Sequence, residues 1–106
     1  MSLDFCLIEK EEYVLDKNIT HNLNVMADKA GIYDCLWRPS ENGFKYAKDI
    51  IPTLEKGLSD MKKRPEYFKQ WNSSNGWGLY KHFIPWLEDV LKGCKDYPNA
   101  EISVSV

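Results

Sequence analysis

Asn18–Pro39 reads NITHNLNVMADKAGIYDCLWRP, and the character of this stretch divides the chain. Ile19, Leu23, Met26, Ala27 and Ala30 recur at i, i+4, i+7, i+8 and i+11, the spacing of one face of an α-helix. Asn18 suits the N-cap, with Thr20 a second candidate. Gly31 supplies a left-handed stop after Ala30. Ile32–Trp37 then predicts one irregular helical turn and Arg38–Gly43 a loop, Pro39 pushing Arg38 toward an extended backbone. A helix starting here leaves strands upstream and mostly helices downstream.

Upstream, Leu3, Phe5 and Leu7 alternate with Asp4 and Cys6 in Leu3–Ile8, which predicts a half-buried strand. Glu9-Lys10-Glu11 is a charged turn and Tyr13-Val14-Leu15 a second strand. Together they predict a hairpin, although its turn lacks the Gly or Asn such turns favour.

Downstream, Lys48–Glu55 (KDIIPTLE) matches Lys81–Glu88 (KHFIPWLE) at an offset of 33 residues. Leu58 then meets Leu91, Lys62 meets Lys95 and Pro65 meets Pro98. Ala47, Ile51, Leu54, Leu58 and Met61 form a helical seam, and Tyr80, Ile84, Leu87, Leu91 and Cys94 repeat it. Helix periodicity alone produces some of this likeness; it does not explain the paired prolines. Ile51 and Ile84 are poor N-caps, so Pro52 and Pro85 are expected inside kinked helices. Phe83, Trp86 and Val90 flank the second seam, and Ile50, Thr53 and Gly57 the first, so the second helix is expected to be the more buried. Glu66–Trp71 predicts a short helix, Asn72–Gly78 a loop, and Ala100–Val106 a strand alternating Ile102, Val104 and Val106 with serines. The expectation is an α+β fold within a single domain, residues 1–106. A small antiparallel sheet, the N-terminal hairpin plus the C-terminal strand, packs against three to four helices.

The formal net charge of −2 argues against nucleic acid as a partner. No apolar run has membrane-spanning length and no export signal opens the chain. Three widely spaced cysteines suit reduced thiols, hence a cytoplasmic setting. His21 and His82 are the only histidines and lie in no metal-ligand spacing, so neither a metal nor a cofactor is expected.

Thr20, His21 and Asn22 fall off the apolar stripe, where they serve either recognition or capping and solvation. Trp37, Trp71 and Trp77 occur in turns or at a short helix end beside polar residues. Such aromatics act either as recognition residues or as lids over an incomplete core. Thr20, His21, Asn22, Trp37, Arg38, Trp71, Trp77 and Tyr80 are therefore the candidate binding residues, with Trp77 expected near the Trp37-Arg38-Pro39 turn. No catalytic motif is present. Three readings follow: recognition of a protein partner or of a second copy, binding of a small nucleotide-like anion, and hydrolysis using His21.

THN-L, MADKAGIY, LWRP, the ENG–AKD–IP–LEKGL run, NGWG-Y and YPNAEISVS together resemble a family of small bacterial and phage or prophage proteins with no assigned activity. The resemblance runs over most of the chain from Asn18 onward. It implies an accessory protein of the cytosol and transfers no catalytic residue.

Overall fold

The computed structural model describes residues 2–106. Its order is β1 (Ser2–Glu9), β2 (Glu12–Thr20), a 3-10 turn (His21–Leu23), α1 (Asn24–Lys29), α2 (Tyr33–Trp37), a second 3-10 turn (Ser40–Asn42), α3 (Ala47–Lys63), α4 (Pro65–Lys69), α5 (Tyr80–Asp96) and β3 (Glu101–Ser105). This is an α+β protein: a three-stranded antiparallel sheet, order β2-β1-β3, with its helices on one face. Leu3, Phe5 and Leu7 of the central strand are fully buried beneath the helices. Asp4, Cys6, Asp16, Asn18, Ser103 and Ser105 pair across the opposite face, the alternation that a one-sided sheet requires.

The helix expected from Ile19 starts later. β2 continues through Thr20 because Ser2 pairs with Thr20 and Leu3 with Ile19. Ile19 thus reaches the core from a strand, and Asn18 is no helix cap: its amide donates to Ser2 Oγ (3.1 Å) and Asp4 Oδ1 (2.6 Å). Thr20 is the cap, its hydroxyl accepting from the Asn22 backbone N–H at 3.3 Å. The helix does end as expected, at Gly31 with φ +75°.

The hairpin turn is Lys10-Glu11, both residues left-handed at φ 52° and 66°. A two-residue turn needs this geometry to match strand twist, yet it costs an L-residue about 1–2 kcal/mol. Lys10→Asn with Glu11→Gly is therefore expected to stabilise the protein by about 1 kcal/mol, after the extra freedom glycine gives the unfolded chain. Urea unfolding midpoints of parent and variant check this. Beyond the turn the register shifts between Leu7 and Ile8, leaving Val14 as an extra residue that bends β2.

α3 and α5 each span 17 residues with proline at the sixth, in the register the sequence match requires. Each proline forfeits one backbone hydrogen bond. Pro52 and Pro85 are exposed, as are Lys48 and Lys81 one turn earlier, so water can hydrate the freed carbonyls. Each helix ends at a residue forced out of helical geometry by the next proline: Arg64 (φ −129°, ψ 57°) before Pro65 and Tyr97 (φ −129°, ψ 63°) before Pro98. The repeat reaches further upstream than the helices, because Asn42-Gly43-Phe44 matches Asn75-Gly76-Trp77 and both glycines are left-handed, at φ 79° and 80°.

The helices pack against each other with reciprocal ion pairs. Glu55 holds Lys95 at 3.0 Å and Glu88 holds Lys62 at 2.8 Å. Each partner of one pair is the repeat counterpart of a partner in the other, exchanged between helices. That is the self-complementary pattern of a twofold interface, here inside one chain and antiparallel. The expected asymmetry of burial is absent: each helix buries six residues, and Ile50 is as fully covered as Phe83. A glycine on each lets a neighbour approach. A Cβ on Gly57 would collide with Ile32 Cγ2, and one on Gly93 would lie 2.9 Å from Leu15 Cδ2. α5 crosses β2 along one stripe, with the Trp86 indole N–H donating to the Asn18 carbonyl (3.1 Å), Lys17 pairing with Asp89 (3.0 Å) and Leu15 against Gly93.

All three cysteines are free thiols. Burial pushes Cys35 and Cys94 up to about 12. Burial and the Asp16 carboxylate push Cys6 up to about 11. With no disulfide to reduce, reductant is expected to leave the melting temperature unchanged, and near pH 8 none of the thiols is appreciably ionised. Iodoacetamide should modify Cys35 and Cys94 only after unfolding, as followed by intact mass.

Candidate functional site

A groove of about 730 Å³ lies between the end of β2 and the loop leading into α5. Ser2, Asn18, Ile19, Thr20, Asn22 and Leu23 form one wall; Gly76, Trp77, Gly78, Leu79 and His82 form the other. Among the described residues no Lys, Arg, Asp or Glu lines it, although 28% of the chain is charged.

The loop wall is held in place by its own polar residues. Asn75 Oδ1 accepts from the Trp77 backbone N–H (2.9 Å) and from the Ser73 hydroxyl. The Ser73 N–H donates to the Gly78 carbonyl at 3.1 Å, and Asn72 Oδ1 accepts from the first N–H of α5, that of Tyr80, at 2.7 Å. The loop docks on the other wall through the Asn22 amide, which donates to the Trp77 carbonyl at 2.9 Å. Gly78, at φ 109°, sits so close that a Cβ there would lie 2.9 Å from Asn22 Cβ. On this pinned backbone the Trp77 side chain is 70% exposed. Its repeat counterpart Phe44 packs instead against the core.

Of the expected residues, the structure gathers Thr20, Asn22 and Trp77. His21 turns away from the groove. Its Nδ1 lies 3.2 Å from the indole Nε1 of Trp37, and its Nε2 lies 3.3 Å from the Asn24 amide. An indole N–H can only donate, so Nδ1 is the acceptor of the Trp37 bond. Trp37, 2% exposed and stacked on Tyr33 at 5.4 Å, is core; the expected juxtaposition of the Trp37 turn with Trp77 in one surface is corrected accordingly. Arg38 leans on Glu41 at 3.8 Å. Trp71 packs edge-on against Tyr67, with Lys29 5.4 Å from its ring centre, and the Tyr80 hydroxyl donates to the Met61 carbonyl at 2.8 Å. Neither Trp71 nor Tyr80 lines the groove. His82 does, although the sequence points to it only as a metal ligand or as the partner of a cysteine; its place four residues after Gly78, at the start of a helix entered from a glycine loop, is the available signal.

Comparison of the chain with protein-family models, curated proteins and solved structures finds no match. Among the described residues no helix is long and apolar enough to cross a membrane, and no group of three or more His, Cys, Asp or Glu side chains is placed to hold a metal ion.

Proposed function

We propose that the chain is a non-enzymatic binding protein, an accessory module of the bacterial and prophage kind it resembles, which recognises a protein partner through Trp77 and the groove beside it. The observation that carries this reading is Trp77 itself, 70% exposed on a loop fixed by Asn22, Asn72, Asn75 and Gly78. A large aromatic on a pre-ordered backbone loses little entropy on binding and is the usual energetic anchor of an interface. The small-anion reading draws less support, because among the described residues no Lys or Arg lines the groove and Arg38 is engaged by Glu41. The hydrolase reading draws less still, since His21 does not line the groove and its Nδ1 is engaged by the Trp37 indole N–H.

Trp77→Ala is expected to leave stability within about 0.5 kcal/mol of the parent, as exposed substitutions do, and to weaken partner binding at least tenfold. Melting curves, with affinity capture from host lysate quantified by mass spectrometry, check both halves. Equal capture by parent and variant would remove Trp77 from the recognition surface.

A further inference from the structure

Resting on that reading of the groove, we propose that its occupant is an extended, uncharged peptide segment of the partner protein, laid across the start of α5 as Pro98–Ile102 is laid across the start of α3. The internal repeat makes the two helix starts comparable residue by residue. At α3, the Ala47 and Lys48 N–H groups donate to the Ala100 and Pro98 carbonyls, both at 2.9 Å. The Ile102 N–H donates to the Lys45 carbonyl at 2.9 Å, and Tyr46 bridges to Glu101. Asp49 accepts from the Tyr46 and Lys45 N–H groups at 2.9 and 3.0 Å. Every equivalent donor is thus consumed by a segment of the chain itself or by Asp49.

At α5 the counterparts of Tyr46, Lys48 and Asp49 are Leu79, Lys81 and His82. No described segment of the chain crosses there. Among the described residues the N–H groups of Leu79 and Lys81 have no hydrogen-bond partner, and the aromatic ahead of them, Trp77, is uncovered. The facing wall adds capacity of the matching kind. Asn22 uses its amide nitrogen internally, leaving its Oδ1 to accept. The Thr20 hydroxyl accepts from the Asn22 N–H and retains its own hydrogen to donate. The Asn22 acceptor and the Thr20 donor on one wall, with two free backbone N–H groups at the start of α5 on the other, suit the alternating N–H and C=O of an extended peptide. Charge complementarity limits the composition: among the described residues no Lys, Arg, Asp or Glu lines the groove, so a buried charge on the occupant would meet no counter-ion there.

A random dodecapeptide display library is panned on the intact chain, with Trp77→Ala as the counter-selection. Enriched peptides are expected to share an uncharged central stretch, to shift the amide resonances of Leu79, Lys81 and His82, and to lose at least tenfold in affinity for Trp77→Ala. Lys or Asp placed within that stretch is expected to cost as much. Failure to enrich peptides over the variant, enrichment of charged peptides, or binding on a glycan array in their place would overturn the proposal. A partner captured in a Trp77-dependent way through a folded surface would also overturn it while leaving the binding reading intact. Capture that ignores Trp77 would remove both.

Discussion

Trp37→Ala is expected to destabilise the protein by about 3–5 kcal/mol, the range for emptying a buried aromatic site. Trp37 is 2% exposed, stacks on Tyr33 and gives its indole N–H to His21. The smaller change His21→Ala leaves that N–H without its acceptor, at an expected cost of about 1–3 kcal/mol. If the hydrogen bond is the reason, His21→Ala should cost much less in a Trp37→Phe background, where no indole N–H remains. A double-mutant cycle in urea measures the coupling. Additive effects would show that His21 braces the turn by packing alone, and a neutral His21→Ala would return it to the list of binding residues.

Gly57→Ala is expected to cost about 2–3 kcal/mol through overpacking, the reverse of the usual gain of roughly 1 kcal/mol when glycine in a helix becomes alanine. The new Cβ would overlap Ile32 Cγ2 and stand 2.9 Å from the Ala30 carbonyl oxygen, and the backbone oxygen has little room to yield. Ile32→Leu removes Cγ2, so the double variant should lose less than the sum of the two single changes. A more stable Gly57→Ala protein by thermal unfolding would show that Ile32 can repack and that the close approach is incidental.

Much of the architecture was legible because its signals are local. The alternation in Leu3–Ile8 and Ala100–Val106, the Gly31 stop and the helical seams each lie within a few residues, and the paired prolines fall where the match places them. Ile19 was misassigned because it satisfies two periods at once. It continues the helical spacing of Leu23 and Met26, and it also faces Leu3 across a sheet; only the pairing of distant residues decides between these. The same limit applied at the site. Trp77 could be recognised as a loop aromatic, but Trp37 looked alike until its bond to His21, 16 residues away, took it into the core. His82 joined the groove through the path of the loop, which rests on the Asn22 contact to Trp77 across 55 residues.

The reciprocal ion pairs of α3 and α5 carry a consequence for assembly. Each helix holds both the glutamate and the lysine of the pairing pattern, so α3 of one molecule can satisfy α3 of another as well as it satisfies α5. Charge therefore cannot tell correct pairing from misassembly while the chain is still collapsing. Discrimination falls to shape: Gly57 admits Ile32, Gly93 admits Leu15, and the two notches lie at different heights on otherwise equivalent helices. Filling either notch would make the helices more alike and shift the partition toward entangled, concentration-dependent species during refolding.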